Sequence, residues 1–112
     1  MTNYFNKVEI QGIVGNVFAQ STTEDFKDLR LSVCTQYSYV NEAGGNIIEA
    51  TWHNVITHLH KNDEVIGKIG KGKWVKVTGR LHHTQYLNND KSIYTSYEIV
   101  ASEIEVIEEQ EG

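Results

Sequence analysis

Cysteine is almost missing from this chain of 112 residues: there is one, Cys34. A lone cysteine closes no internal disulfide, so nothing argues for an oxidising compartment. Its place inside the strand-like run LRLSVCTQY reads as a small buried apolar residue rather than a nucleophile. Long hydrophobic runs are missing too. No stretch approaches the roughly 18 apolar residues of a membrane span, and the amino terminus lacks a signal-peptide pattern. The expectation is a soluble cytoplasmic protein of one domain, with a real but modest core.

Net positive charge is also lacking. Ten Lys and Arg face 15 Asp and Glu, for a formal net charge of −5, which at first argues against a nucleic-acid partner. The distribution softens that argument. Residues 61–91 hold seven basic side chains against three acidic ones, whereas residues 92–112 hold six glutamates and no base. Partners respond to local potential within a Debye length of about 8–10 Å more than to the sum.

What the chain does have is alternation. In KVEIQGIVG, Val8, Ile10, Gly12 and Val14 fall on one face and Lys7, Glu9 and Gln11 on the other. DLRLSVCTQYSYV repeats the pattern, NEAGGN supplies a glycine-rich hairpin turn, and IIEATWHNVIT returns. LHKNDEVIGKI changes period, with Leu59, Val65, Ile66 and Ile69 at helical spacing. This predicts a helix of two to three turns, capped by Asn62 or Asp63 and stopped by Gly70. From Val75 to Leu81 the period is two again, LNND is a turn, and KSIYTSYEIVASEIEVI is a long last strand. Five strands with one short helix between the third and fourth predict an all-β Greek-key barrel of the OB type over residues 1–107, with 108–112 as a short acidic tail. An open sheet crossed by a helix is the alternative.

GKIGKGK at residues 67–73 fits Gly-x-x-x-x-Gly-Lys, but Trp74 follows instead of Ser or Thr. The order helix, loop, strand also puts no helix amino terminus against the glycines, so nucleotide hydrolysis is not expected. ATWHNVITHLHKND raises a second question, because it packs three histidines around one tryptophan. On a strand, His53 and His58 diverge, and His58 and His60 align only if the strand continues that far. His82 and His83, being adjacent, point apart. A metal site wants three or four converging ligands, so no metal and no cofactor are expected. No histidine has a Ser, Cys or carboxylate partner by spacing, which leaves a catalytic reading without an anchor.

Trp52 is the better clue. With Asn54 and His58 it makes a flat wet platform on the outside of a curved sheet. Tyr37 and Tyr39 lie on the preceding strand and Tyr86 beyond the fourth. Lys71, Lys73, Lys76 and Arg80 line the neighbouring loop and strand. Rings interleaved with bases suit single-stranded nucleic acid, since each base stacks for about 1–3 kcal/mol while cations follow the phosphates. Alternation puts Tyr37 and Tyr39 on the face of Leu31 and Val33, so their exposure requires a strand that curls away or carries a bulge.

Four segments in order resemble the bacterial single-stranded DNA-binding proteins, the homo-oligomeric OB-fold proteins of replication. NKVEIQGIVGNV is similar to their opening strand and TWHNV to their Glu-Trp-His-x-Val segment. GKGKWVKVTGRLHH is similar to their Lys-Gly-x-x-Val-x-Val-x-Gly-x-Leu strand, and EIVASEI to their closing Glu-Val-Val-Ala-x-x-Ile. The resemblance implies non-catalytic, sequence-independent binding of single-stranded DNA in replication, repair or recombination. It also implies a homotetramer, with a dimer as the alternative, near the bacterial nucleoid. By the same resemblance Trp52 stacks a base, Tyr86 stands at a second stacking position and Tyr39 or Tyr37 near a third. His58 takes a place often held by phenylalanine, Lys71 matches a phosphate-contacting lysine, and His53 matches a subunit contact. His82 and His83 depart from the arginines common after Leu81. The ending EEQEG departs from the acidic tip with an apolar dipeptide, so recruitment of replication enzymes by a tail is not expected. Competing readings are a primosomal accessory OB protein and an OB-fold interaction module that has lost DNA binding.

Overall fold

The computed structural model describes residues 3–108, the side chains of Ala19 and Gln20 excepted; apart from Glu108, the tail expected at 108–112 lies outside them. Alternation becomes strand wherever it was read, and the first four strands overrun the segments that announced them, while the fifth starts two residues inside its own. The five are β1 (Val8–Thr22), β2 (Phe26–Val40), β3 (Asn46–His60), β4 (Trp74–Leu87) and β5 (Ile93–Ile107). The chain contains no proline, so no ladder donor is lost along these lengths. They close into a barrel in the order β1-β2-β3-β5-β4, the arrangement expected of an OB fold. All pairings are antiparallel except β3 with β5, which is parallel and joins only Val55↔Ile99 and Ile56↔Val100.

Inward positions build the core. Val14, Leu29, Leu31, Val33, Val55, Val75, Val77 and Ile99 are buried, drawn from all five strands. Thr57 is buried with them and its hydroxyl donates to the Leu29 carbonyl at 3.3 Å, so the hydroxyl is satisfied. The residues between them on each strand face outward, as the pleat requires.

The helix expected after the third strand is a single 3-10 turn, Glu64–Gly67. Leu59, counted as its first apolar position, belongs to β3, which runs on to pair His60 with Phe26. Residues 61–63 make the connection, which leaves only the four residues Glu64–Gly67 helical before Lys68 closes the turn. Asp63 does cap it, its carboxylate accepting from the Val65 amide at 3.0 Å. Among the described residues no helix is long and apolar enough to cross a membrane.

Two hairpins run past the barrel. β2 and β3 stay in unbroken register out to Val40↔Asn46, although β1 leaves β2 at Cys34 and β5 meets β3 only at Val55 and Ile56. Tyr37 and Tyr39 are therefore exposed without any bulge between β2 and β3: the strands that would cover them have ended. β4 and β5 likewise pair out to Leu87↔Ile93, beyond the Gly79 at which β1 stops.

The turn of β4 away from β1 depends on Gly79, at a register shift between Thr78 and Gly79. A Cβ there would lie 2.1 Å from the Val100 carbonyl oxygen and 2.8 Å from the Ala101 Cα. Both are backbone atoms of β5 and cannot swing aside. Gly79→Ala is expected to lose about 1–3 kcal/mol of stability in urea unfolding. Gly67→Ala, where a Cβ meets nothing within 4 Å, is expected to stay within about 0.5 kcal/mol of the parent.

Candidate nucleic-acid interface

The outward positions of β2, β3, β5 and β4 form one continuous surface. Arg30 sits between buried Leu29 and Leu31, Ile56 between buried Val55 and Thr57, and Val100 beside buried Ile99. Cross-strand register then strings Phe18, Arg30, Ile56, Val100 and Arg80 into one row over all five strands. On β3, Trp52, Asn54 and His58 share this face with Ile56. On β4, alternation from Arg80 carries His82, Thr84 and Tyr86 to it. Five of the side chains singled out in the sequence, Trp52, Asn54, His58, Arg80 and Tyr86, are thus brought to one side of the barrel.

Trp52 is 60% exposed, yet its position is fixed. A Cβ on Gly15 would come within 2.4 Å of the indole Cζ3, so the six-membered ring rests on bare β1 backbone that only glycine leaves open. The adjacent residue ties in the basic loop: the Val14 amide donates to the Lys73 carbonyl at 2.9 Å, and the Gly72 amide to the Val14 carbonyl at 2.8 Å. Lys71 and Lys73 are exposed on a loop clipped one residue from the indole's footing. Tyr86 gains a partner directly across the β4–β5 hairpin in Tyr94, the rings stacked at 6.3 Å and both at least half exposed.

His58 has partners that spacing along the chain does not reveal. Its Nδ1 donates to Asp28 on β2, and its ring stacks on Phe26 with centroids 4.3 Å apart and planes 19° from parallel. Because β3 does continue to His60, that ring joins them edge-on at 5.7 Å. His82 likewise finds a carboxylate: its Nδ1 donates to Glu98 Oε1 at 3.0 Å. Glu98 is buried under this contact, the Thr84 hydroxyl and the Arg30 guanidinium at 3.5 Å. These four form a closed ion-pair network on the face rather than a catalytic pair.

Other expected residues lie apart. Tyr37 and Tyr39, 6.0 Å apart, fall by alternation on the opposite side of the β2–β3 hairpin from Trp52, and the Tyr39 hydroxyl donates to Glu49 at 3.2 Å. Lys76 is on β4 between β1 and β5, ion-paired to Glu9 at 3.0 Å and flanked by Glu105. That hydrogen bond and charge hold its ammonium above the ordinary lysine value and Glu9 below the ordinary carboxylate value. His53 faces the barrel mouth, hydrogen-bonded to the Thr35 hydroxyl at 2.8 Å, and partial burial lowers its pKa. Among the described residues no three His, Cys, Asp or Glu side chains gather as a metal site. Phe18, Phe26, Arg30, Tyr94 and Glu98 were not singled out in the sequence. A register of β2 on β3 and β4 on β5 would have found Phe26, Tyr94 and Glu98, since each completes a pair across a hairpin, whereas Arg30 meets Glu98 only over the β3–β5 seam.

Residues 5–107 match the Single-strand binding protein family. Over 77 residues the chain is 32% identical to the single-stranded DNA-binding proteins of two Neisseria meningitidis strains, of serogroups A and B, covering 68% of this chain and 44% of each relative. The chain thus spans less than half the length of these curated relatives. Among solved structures it is similar to a Plasmodium falciparum SSB in complex with ssDNA (TM-score 0.81, 21% identity, 96% of this chain and 99% of that one). It is also similar to a deletion mutant of the single-stranded DNA-binding protein from Thermus aquaticus (TM-score 0.74, 21% identity, 93% and 51%).

The hydrogen bonds from His58 and then Ser21 hold the Asp28 carboxyl below its ordinary value. A carboxyl whose folded pKa is depressed stabilises the fold above its unfolded value and loses that contribution as pH falls through the folded one. The parent's advantage over Asp28→Asn is expected to be present above about pH 4 and to shrink toward zero in stronger acid. Urea unfolding of both proteins at stepped pH measures it.

Proposed function

The chain belongs to the Single-strand binding protein family, and from that premise we propose that it binds single-stranded DNA without reading its sequence, as a non-catalytic coat in replication, repair or recombination. The observation that carries the reading is Trp52: a large ring, mostly exposed, held in place by Gly15 on a face that also presents Arg80 and the Tyr86–Tyr94 pair. An exposed indole loses apolar burial in the free protein, and a stacked base restores it. Because every base has a flat face, such stacking tolerates any sequence. Lys71, Lys73 and Arg80 supply the phosphate contacts, while Lys76 remains with Glu9. Tyr37 and Tyr39 take a strand that passes around the end of the β2–β3 hairpin. The protein acts in the cytoplasm.

The same reading includes a homo-oligomer. On the other side of the β4–β5 hairpin Leu81, Leu87, Ile93 and Tyr97 are all close to half exposed or more. With His53 and Val8, Leu81 and Tyr97 line a cleft of about 380 Å³ between β3 and that hairpin. An apolar edge of this kind suits a second copy of the chain, with His53 at the contact.

Trp74→Phe leaves Trp52 as the single tryptophan of the chain. Oligo-dT is expected to quench its emission, and Trp52→Ala to weaken binding roughly 5- to 150-fold, matching about 1–3 kcal/mol for one stacked base. Three phosphate contacts predict a slope of log affinity on log salt of roughly −2. A folded Trp52→Ala protein that binds as tightly as the parent contradicts the stacking assignment. In light scattering after gel filtration the mass is expected at a multiple of 12.7 kDa, and Tyr97→Glu is expected to lower it. A parent already at 12.7 kDa at tens of micromolar rejects the oligomer.

A further inference from the structure

We propose that Glu98 is a counter-charge built into the nucleic-acid face: by pairing Arg30 it withholds that guanidinium from phosphates and holds the affinity for single strands below what the face could reach. The inference rests on the single-strand reading above and goes beyond it, because it assigns a task to a carboxylate on a surface that receives a polyanion. Glu98 precedes buried Ile99 and so takes the outward phase of β5, with Val100, yet it is only 7% exposed. Together with Trp52 and Asn54 it also lines the cleft of about 380 Å³ between β3 and the β4–β5 hairpin. A nucleotide stacked on the indole therefore brings its phosphate within a Debye length of this carboxylate.

Both carboxylate oxygens are taken. Oε1 accepts from His82 Nδ1 at 3.0 Å and from the Thr84 hydroxyl at 3.4 Å, and Oε2 faces the Arg30 guanidinium at 3.5 Å. These partners come from β4 and β2, so three strands meet at one buried charge. At pH 8, where imidazole is neutral, the charges of Arg30 and Glu98 cancel and the network adds nothing to the attraction for a strand.

Stability alone gives no reason for that carboxylate. Taking it out of water is costly, and well-packed apolar side chains in place of a buried ion pair are often as stable or more so. The seam is in any case closed from inside by Val55 and Ile99. What a carboxylate does, and an apolar or amide side chain does not, is oppose a cation. The Arg30 side chain is 33% exposed, and 3.5 Å makes a loose ion pair. A phosphate can compete for a guanidinium held in this way, but it must displace Glu98 to win it. The displaced carboxylate stays in the face and repels the same phosphate.

Neutral replacements test this, with a labelled oligo-dT followed by fluorescence anisotropy at pH 8. Glu98→Gln keeps the size of the side chain and an acceptor oxygen but removes the charge. It is expected to tighten binding about five-fold at about 0.1 M salt and to steepen the slope of log affinity on log salt by about 0.7, the effect of one further phosphate contact on a single strand. Arg30→Gln leaves the carboxylate without its guanidinium and is expected to weaken binding by a similar factor. Adding Glu98→Gln to Arg30→Gln is expected to recover most of that loss. A residue that only pinned the seam gives the opposite sign, since its replacement loosens the face. A folded Glu98→Gln protein that binds no tighter than the parent overturns the proposal. Where that single variant does not fold, the double variant decides: binding as weak as that of Arg30→Gln overturns it too. A parent that leaves oligo-dT unbound removes the single-strand reading itself, and this inference with it.

Discussion

Closure of the barrel rests on two residue pairs. Val55↔Ile99 and Ile56↔Val100 are the whole of the parallel β3–β5 ladder, and a parallel pairing is slightly less stable per residue than an antiparallel one. What secures it is burial: Val55 and Ile99 are both inside the core, each side chain contributing about 1.5–3 kcal/mol by leaving water. The shortness of the ladder shapes everything outside it. Toward Trp52 the two strands diverge and open the cleft that His53, Leu81 and Tyr97 line. On the outer surface Arg30, from β2, reaches across β3 to Glu98 on β5. That ion pair exists only because closure brings β5 beside β3, so it spans the seam from outside as Val55 and Ile99 span it from inside.

With the seam in place, long strands become a means of display. β2–β3 and β4–β5 are each far longer than a barrel of this size needs, and the excess leaves as two hairpins. Aromatic residues are common in strands because they fit a pleated surface, and here the pleat ends up exposed on both sides. Tyr37 and Tyr39 keep the inward phase of Leu31 and Val33 but have no core opposite them. Tyr86 and Tyr94 keep the outward phase. Rings on a β-hairpin are also well ordered, since the ladder fixes the backbone and cross-strand partners limit the rotamers. Trp52 gets the same ordering from Gly15, whose missing Cβ is the seat for its ring.

Much of this was legible from alternation alone. Period two located all five strands, and the outward phase of Trp52, Asn54 and His58 followed from Val55 and Thr57 lying between them. The basic loop at Lys71 and Lys73 was read correctly as the lead into β4. What could not be read was register. Phe26 meets His58 and His60, Asp28 meets His58, and Glu98 meets His82 across strand pairs whose offsets no single strand encodes. For the same reason no single strand separates Lys76 from the other cations, whereas the β1–β4 ladder sets it opposite Gln11 and diagonal to Glu9, within reach of that carboxylate. The helix failed for a different reason. Leu59 satisfies a helical period and a strand period equally, and cross-strand pairing with Lys27 decided for the strand.

Register also bears on the charge problem. A chain with net charge −5 repels a polyanion at long range, but within about 8–10 Å the arrangement of pairs matters more than the total. Three strand carboxylates are occupied: Glu9 by Lys76, Asp28 by His58 and Ser21, Glu98 by Arg30, His82 and Thr84. Each presents less negative potential than an isolated carboxylate would. Among the described residues, Lys71, Lys73 and Arg80 have no carboxylate within ion-pair distance, and they border the face that carries Trp52 and Tyr86. Of the six glutamates after residue 92, Glu103 and Glu105 oppose Thr78 and Lys76 on the β1–β4–β5 side, where neither β2 nor β3 is a neighbour. On the outer face, then, Asp28 and Glu98 are both paired, while Glu103 and Glu105 lie on the far side of the barrel, so the net charge overstates the negative potential beside Trp52 and Tyr86.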